Sequence, residues 1–331
     1  MRGSDVMART KTFQMAVIGI DIGGTKISAA LYVKGHPVSM GKVLIGGEEG
    51  EGVLHIVLDL IDTLLEEAGG EVRTVGMAVP GIWNEKAGTV WAPNIPGWID
   101  YPLRERLLQH FSHLLFYITS DRACYIMGEV WKGNAQGCRD AIFLAAGTGI
   151  ATGIIAGGNV LHGSGGVAGA IGWMALNKPY DDKYKPMGCN EYYASGPGLV
   201  RYALELHEAM PQYSGIFRIK KNLTPEKLIS AYEQGDEVAM QVMNNAIEYW
   251  GMCIANLVSI FNPEKVILGG GIFQNNGCRF RDAIMAEALQ WGQPVSMRQF
   301  SLECSALGEL AGLYGAIYFA LEEEKKHLHH E

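Results

Sequence analysis

The chain has 331 residues, of which 48% are hydrophobic and 19% charged, a composition that predicts a packed core and argues against disorder. This length suffices for two domains of ordinary size. The net charge of −8, without a basic stripe, argues against nucleic-acid binding. No apolar run reaches the roughly 20 residues of a membrane helix, and the N-terminus lacks the apolar stretch of a signal peptide, so a cytoplasmic protein without membrane contact is predicted.

The cysteines and the two termini fit this interpretation. The six cysteines show no paired spacing and are predicted to be reduced thiols, as in a cytosolic protein. They are Cys124, Cys138, Cys189, Cys253, Cys278 and Cys304. Residues 1–14 are predicted to be a leader or a disordered segment outside the fold. The tail 325–331, with its three histidines, is predicted to be a frayed, solvated end rather than a metal site.

The first predicted unit is a strand, a glycine turn and a second strand. The segment MAVIGIDIGG (15–24) ends in Asp21 and two glycines, and the apolar run 27–33 forms the returning strand. A turn and a third short strand follow. Apolar residues then recur at helical spacing over 53–68, and the glycines after them are typical of a helix end.

Two segments downstream are candidates for ligand contacts. The strand 75–79 is closed by Pro80-Gly81, and the segment 91–98, WAPNIPGW, is predicted to be a loop. Loops on a rigid scaffold often carry ligand contacts, and the alternative here is a surface turn anchored by its tryptophans.

Asp121 lies between a predicted strand and a predicted helix. A helix over 102–111 precedes the strand 115–119, and a further helix covers 123–131. A carboxylate at the C-terminal end of a strand is well placed for a site in an α/β sheet. Aspartate is also a favoured helix cap, so the residues alone leave both roles open.

The stretch AIFLAAGTGIATG (141–153) repeats the pattern of the first unit, with a strand, a turn at 147–149 and a returning strand. A unit that occurs twice suggests a duplicated domain, whose two glycine turns face each other across a cleft. Glycine lets backbone N–H groups approach an anion, and Thr25 and Thr148 add hydroxyl donors. Such turns also simply close hairpins, because glycine accepts positive φ.

The rest of the chain is predicted to be mainly helical. Helices are expected over 192–210, from Thr224 onward, over 237–261 and over 307–321. A strand over 266–268 ends in three consecutive glycines.

The segment Asp21-Ile22-Gly23-Gly24-Thr25-Lys26 and the stretch 144–153 resemble the two phosphate motifs of the ROK family, which holds sugar kinases and sugar-responsive repressors. The resemblance extends over about residues 15–321. It implies an α/β fold of two actin-like (RNase H-like) domains with an ATP cleft between them, and ATP-dependent phosphorylation of a sugar hydroxyl. The implied domains are 15–121 with 306–331, and 122–305.

The resemblance also implies the residue roles. Asp121 matches the catalytic base, and Asp21 would orient Mg²⁺ through water. Sugar contacts are implied for Gly81, Asn94, Ser120, Asp121, Trp173 and Glu191. Contacts with ATP are implied for Asp21, Gly23, Gly24, Thr25, Lys26, Gly147, Thr148, Gly149, Gly269, Gly270 and Gly271. The implied cofactors are ATP and Mg²⁺, and a homodimer is expected because such proteins typically form one.

The sequence departs from the family at its zinc motif. The family sequence Glu-x-Gly-His, in which the histidine binds zinc, is replaced by AIGW (170–173). In the following zinc loop the first two cysteines and a glycine are replaced by Asp182, Tyr184 and Lys185. Only Gly188, Cys189 and Glu191 keep the pattern. One thiol cannot complete a structural site that needs four ligands, so no zinc is predicted.

The leading functional hypothesis is an ATP-dependent kinase that acts on the 6-hydroxyl of a hexose or hexose derivative. A repressor is a second hypothesis, although residues 1–14 leave little room for the helix-turn-helix segment of the family repressors. A non-catalytic sugar-binding or regulatory protein is a third.

Three residues that contact a free hexose in the family are replaced in this chain. Ser120 stands in place of asparagine, Ala170 in place of glutamate and Trp173 in place of histidine. Fewer polar partners for a free hexose predict weak use of glucose and a preference for a sugar modified at C1 or C2, such as a β-glucoside or N-acetylmannosamine. If Trp173 only fills core space left by the missing zinc loop, an ordinary glucokinase remains open.

Overall fold

The fold is described from a computed structural model that covers residues 16–69, 72–218, 222–274, 276 and 278–328. The predicted leader, residues 1–14, and the last residues of the tail lie outside the described residues. Two five-stranded sheets form the framework, with the strand orders β3-β2-β1-β4-β7 and β10-β9-β8-β11-β12. The α/β class predicted from the sequence is confirmed.

The strands of the first sheet and its hairpin are β1 (Ala16–Ile22), β2 (Lys26–Val33), β3 (His36–Leu44), β4 (Thr74–Val79), β5 (Ile82–Asn84), β6 (Thr89–Trp91) and β7 (Leu115–Ser120). The strands of the second sheet are β8 (Ala141–Ala146), β9 (Ile150–Ala156), β10 (Asn159–Val160), β11 (Lys265–Gly269) and β12 (Ser301–Cys304). In each sheet the first three strands pair antiparallel with their neighbours, and two further strands extend the sheet in parallel orientation. The duplication predicted from the repeated glycine turns is therefore present in the strand topology.

The helices of the first half are α1 (Glu51–Ala68), α2 (Leu103–His110) and α3 (Asp121–Lys132). The later helices are α4 (Cys189–Ala194), α5 (Gly196–Ala209), α6 (Pro225–Glu233), α7 (Glu237–Phe261), α8 (Gly271–Gln274), α9 (Arg281–Trp291) and α10 (Ala311–Leu328). The helix expected over 237–261 has these bounds, and Asp236 caps it by accepting a hydrogen bond from the Ala239 N–H at 2.9 Å.

Two predicted helices differ from the structure. The segment 192–210 is interrupted at Ser195, which is extended and whose hydroxyl caps α5 by accepting a bond from the Gly198 N–H at 3.1 Å. A capping serine followed by a proline in the first turn starts a new helix, which the apolar spacing alone does not reveal. The C-terminal helix continues past 321, and the pairs Glu322–Lys325 and Glu323–Lys326 support this last turn.

The prediction that all cysteines are reduced thiols is wrong for Cys278 and Cys304, which form a disulfide with Cα atoms 6.0 Å apart. The residues are separated by 26 positions, and only the folded path brings the turn after α8 beside the end of β12. The other four cysteines are free, and Cys124, Cys189 and Cys253 among them are buried.

The helices α3 and α10 pack against each other, and α10 also contacts β1, β4 and β7 of the first sheet. Small residues make this approach possible. A side chain at Gly315 of α10 would overlap the backbone carbonyl of Cys124 in α3, and one at Gly76 of β4 would overlap the carbonyl of Ala316. These positions place helix backbone directly against helix and strand backbone.

We expect Gly315→Ala to lower the free energy of unfolding by about 2 kcal/mol, because the added methyl group forces the two helices apart. Helix propensity alone predicts the opposite sign, a gain of about 1 kcal/mol. Urea denaturation would measure the difference. Gly41→Ala, in β3 with open space around the added atom, is the matched control and should stay within about 0.5 kcal/mol of the unsubstituted protein. A stabilised Gly315→Ala protein would contradict the close packing.

Candidate active site

Asp21 lies at the end of β1, where it is level with Ser28 of β2 and Ala78 of β4. Its carboxylate also lies against the second residue of α10, because a methyl group built on Gly312 would be 2.9 Å from Oδ1. Burial and the negative charge of Asp121 raise the pKa of Asp21 to about 7, whereas Lys26 acts in the opposite direction. The structure therefore brings the two predicted carboxylates close enough to interact.

Asp121 is the first residue of α3. The cap of this helix is Ser120, whose hydroxyl accepts a hydrogen bond from the Ala123 N–H at 3.4 Å, so the alternative that Asp121 is the cap is wrong. Oδ1 of Asp121 accepts from the Arg122 N–H at 2.7 Å, and Oδ2 accepts from the Tyr125 hydroxyl at 3.3 Å. Burial raises the pKa of Asp121, while the charge of Arg122 and these two hydrogen bonds lower it.

Arg122 was not among the residues predicted from the sequence. It is 8% exposed, and its Nη2 donates to the carbonyl of Gly81 at 3.1 Å and to the carbonyl of Gly166 at 3.0 Å. Its signal in the sequence is a charged side chain directly before the apolar segment ACYIM (123–127) of α3. A charge in such a segment is rarely buried without polar partners, so its presence indicates partners elsewhere in the chain.

The first glycine turn brings Asn94 close to the predicted phosphate residues. The Gly23 N–H donates to the Lys26 carbonyl at 2.9 Å and closes the turn. A methyl group built on Gly24 would lie 3.6 Å from Nδ2 of Asn94, so the loop 92–98 covers this turn. Gly24, Thr25 and Asn94 are exposed and can be reached by a ligand.

Lys26 has a protein partner in this structure. Its ammonium group lies 2.9 Å from Oε1 of Glu309, and the ammonium group of Lys42 lies 2.7 Å from Oε2. Hydrogen bonds from Lys42 and Lys26 lower the pKa of Glu309 to about 2. A phosphate that binds Lys26 would therefore compete with, or be added to, the contact with Glu309.

The second glycine turn is adjacent to the triple glycine. The Gly147 N–H donates to the Gly149 carbonyl at 2.9 Å, and Thr148 is exposed at the tip. A methyl group on Gly147 would lie 3.6 Å from the Gly271 nitrogen, and a side chain on Gly270 would overlap the carbonyl of Ala146. The turn 147–149 and the segment 269–271 thus form one glycine-lined surface.

Glu191 contacts the second glycine turn through its carboxylate. Its Oε2 accepts a hydrogen bond from the Ile150 N–H at 2.9 Å, and burial raises its pKa. Methyl groups built on Gly149 and on Gly172 would each lie 2.8 Å from Oε2. The alternative of a solvated helix residue is therefore wrong for Glu191, which is a partly buried neighbour of the second turn.

Trp173 ends a short 3₁₀ helix (Ile171–Trp173), and its side chain is 57% exposed. The interpretation that the indole fills core space is therefore wrong. A cavity of about 480 Å³ lies elsewhere, between the β5–β6 hairpin, the end of β7 and the loop 162–166. Of the predicted site residues, it is lined only by Ser120.

The segment that replaces the zinc loop is organised around Lys183. Its ammonium group lies 5.6, 5.0 and 5.2 Å from the ring centres of Tyr184, Tyr192 and Tyr193, and the hydroxyls of Tyr184 and Tyr193 are 3.2 Å apart. We call these four residues the lysine–tyrosine cluster. Cation–π contacts thus hold the segment in which the family has thiolates. In the described part of the chain, no three His, Cys, Asp or Glu side chains are grouped so as to hold a metal ion.

No described helix is both long enough and apolar enough to span a membrane.

The family model described as ROK family matches residues 17–323. The chain is 32% identical to a glucokinase of Streptomyces coelicolor over 321 residues, which covers 93% of this chain and 98% of that protein. It is 29% identical to a xylose repressor of Caldicellulosiruptor bescii, covering 93% of this chain and 78% of the repressor.

A solved structure of a ROK family glucokinase from Streptomyces griseus, in complex with glucose and AMPPNP, matches the fold with a TM-score of 0.74 and 30% identity. The match covers 93% of this chain and 99% of that one. The actin-like architecture expected from the sequence is confirmed by this likeness.

We expect Asp21→Asn to stabilise the protein at pH 8 by about 1–3 kcal/mol. The pKa of Asp21 rises from 3.8 to about 7 on folding, so the folded state holds the proton more tightly. Stability from this group is therefore lost as pH rises from about 4 to about 7, and the amide variant escapes that loss. Unfolding at pH 4.5 and pH 8 should show a difference that grows with pH, whereas the exposed Asp59→Asn control shows none. A variant less stable at pH 8 would contradict the buried-charge interpretation.

We expect Lys183→Met to lower the free energy of unfolding by about 1–2 kcal/mol, because the lysine–tyrosine cluster loses its cation. Lys185→Met, an exposed lysine of the same segment, is the control and should have little effect.

Metal analysis of the unsubstituted protein should find no stoichiometric zinc, and a zinc chelator should leave its melting temperature unchanged. One tightly held zinc per chain would overturn this account of the segment.

Proposed function

The chain belongs to the ROK family, and from this premise we propose that it is an ATP-dependent carbohydrate kinase that phosphorylates a hexose or hexose derivative at the 6-hydroxyl. The observation that supports this best is the pair of interacting carboxylates, Asp21 at the end of β1 and Asp121 at the start of α3. The proposed domains are 15–121 with 306–331, and 122–305, and the packing of α10 on the first sheet is consistent with that division.

Asp121 is the proposed general base. It would accept the proton of the sugar hydroxyl as the oxygen attacks the γ-phosphorus in line. The Arg122 charge and the hydrogen bonds from the Arg122 N–H and the Tyr125 hydroxyl favour the ionised carboxylate, while burial keeps it basic. Its backbone is fixed by the Ser120 cap, so the carboxylate is held in position rather than being free to rotate with a loop.

The residues present fit ATP and Mg²⁺. Two interacting carboxylates with raised pKa values leave negative charge that a divalent cation would neutralise, and Asp21 would hold Mg²⁺ through water. When bound, the ion supplies neutralisation of phosphate charge. The Gly23 and Gly147 N–H groups close their own turns, so the backbone N–H groups of Gly24, Thr148 and Gly149 would contact the phosphates. The glycine-lined surface of 269–271 would accept the nucleoside.

The proposed sugar site lies where the loops of the two sheets meet. Gly81, Asn94 and Ser120 would contact the sugar from the first sheet, and Glu191 would contact it beside the second turn. Trp173, exposed and at the position of the family histidine, would offer a flat apolar face to a substituent at C1 or C2. We therefore propose a β-glucoside or an N-acetylated hexose such as N-acetylmannosamine as the preferred substrate class.

A sugar-responsive regulator is the second candidate, because the relatives include a repressor. The retention of Asp121 together with both glycine turns favours the kinase. We keep a homodimer and a cytoplasmic location as expectations of this proposal.

We expect Asp121→Asn to retain its fold and to lose at least about 10²-fold in kcat, because an amide cannot accept the proton. A coupled assay of ADP release, with circular dichroism as the check on folding, would measure both. The exposed Asp59→Asn is the control and should keep full turnover. If Asp121→Asn retained more than about a tenth of the turnover, another group would have to be the base.

We expect kcat/KM for methyl-β-glucoside or N-acetylmannosamine to exceed that for glucose, because the site has lost polar partners near C1 and C2 and gained an indole. Trp173→Ala should reduce this preference and should leave kcat/KM for glucose nearly unchanged. A tenfold or greater preference for glucose would contradict the proposed substrate class. Absence of turnover across hexoses, amino sugars and glycosides would favour the regulatory candidate.

A further inference from the structure

Arg122 connects the β4–β5 loop with the loop after β10. Gly81 lies between β4 and β5 of the first half, and Gly166 lies in the loop after β10 of the second sheet. One terminal nitrogen of Arg122 donates to both carbonyls, at 3.1 and 3.0 Å. A single buried side chain on the helix that carries Asp121 thus joins Gly81 of the proposed sugar site to the loop after β10.

The two acceptor carbonyls are held in place by the backbone. Gly81 has φ 87°, and a side chain there would overlap the carbonyl of Trp91. Gly166 has φ 70°, and a methyl group there would lie 3.0 Å from the carbonyl of Trp83. The end of the second loop is tied to β9, because the Thr152 N–H donates to the Gly169 carbonyl at 2.9 Å. Rotation of either peptide that would turn its carbonyl away from Arg122 is therefore restricted.

Charged and titratable groups surround Asp121 from several elements. Arg122, Cys124 and Tyr125 belong to its own helix, and Asp21 faces it from β1. His162, from the loop after β10, faces Arg122, and Lys26 acts on Asp21 from β2. Among these groups Arg122 contributes the charge that most favours an ionised Asp121, since the pKa of the thiol and of the phenol are both raised.

We propose that Arg122 is a positioning residue: it fixes the loop after β4 against the loop after β10, and its charge keeps the neighbouring Asp121 carboxylate able to accept a proton. The second part of this inference rests on the proposed kinase function, whereas the first part concerns the loops alone. Arginine suits both tasks, because its charge is permanent and its planar group donates to several acceptors. A residue that only filled space would leave the pH dependence of turnover unaltered.

The first experiment measures the loops without any turnover. Hydrogen–deuterium exchange of the full chain should show that Arg122→Met exchanges at least about tenfold faster over residues 80–86 and 162–169, with α7 unchanged. Arg139→Met is the matched control, since Arg139 is exposed and its Nη2 donates to the single carbonyl of Gly157 at 3.3 Å. Unchanged exchange in both segments would overturn the bridge, and this result stands whether or not the protein is a kinase.

The second experiment separates the charge from the bridge. In Arg122→Met the acidic limb of the kcat–pH profile should move up by about one pH unit, because Asp121 loses its cationic neighbour. Arg122→Lys keeps the charge, so its acidic limb should stay near that of the unsubstituted enzyme, while both variants raise KM for the sugar several-fold. An acidic limb that does not move in Arg122→Met overturns the charge role.

If Arg122→Met does not fold, Arg122→Lys tests the bridge: a KM for the sugar equal to that of the unsubstituted enzyme overturns it. Absence of turnover in the unsubstituted protein contradicts the proposed function instead, and the exchange experiment then decides this inference.

Discussion

The close packing of α3 against α10 is the contact on which the candidate site depends. Backbone meets backbone at Gly315 and the Cys124 carbonyl. The buried Glu129 of α3 also accepts hydrogen bonds from Ser305 and from the Leu307 N–H, in the segment that leads into α10. The first residue of α3 is Asp121, and the second residue of α10 lies against Asp21. The position of Asp121 relative to Asp21 therefore depends on the packing of α3 against α10, which the absence of side chains at Gly128 and Gly315 permits.

This arrangement places two interacting carboxylates in a partly buried cleft, which opposes folding. The raised pKa of Asp21 shows that the ionised form is disfavoured in the folded protein. Arg122 and Lys26 offset part of this repulsion, and each is itself held by other groups, Arg122 by two carbonyls and Lys26 by Glu309. Sites that need strained or repelling charges are commonly less stable than the chain could otherwise be. Under the proposed function, the divalent cation that accompanies the nucleotide would offset this repulsion.

Local features of the sequence predicted a large part of this structure. The glycine turns were predicted from apolar runs that alternate with glycine, and the bounds of α7 from helical spacing. The duplication of the strand unit was predicted from its repetition in the sequence. Features that depend on the folded path were missed or misread: the disulfide of Cys278 with Cys304, the break at Ser195 and the bridge made by Arg122. For Asp121 the residues left the roles of cap and site residue open. The structure decides against the cap, because the Ser120 hydroxyl occupies it.

The replaced zinc loop and the exposed Trp173 share one physical cause, which is the replacement of the residues that bind zinc in the family. A metal site would fix the short helix that carries position 173 through a histidine ligand, whereas this chain fixes the neighbouring segment through Lys183 and three tyrosine rings. Glu191 and Asn190 of α4 hold the backbone on either side, at the Ile150 N–H and the Ile171 carbonyl. Position 173 is then released from metal binding and can carry a residue chosen for its surface. The indole at this position is 57% exposed, and under the proposed function it would contact the sugar without the help of a metal.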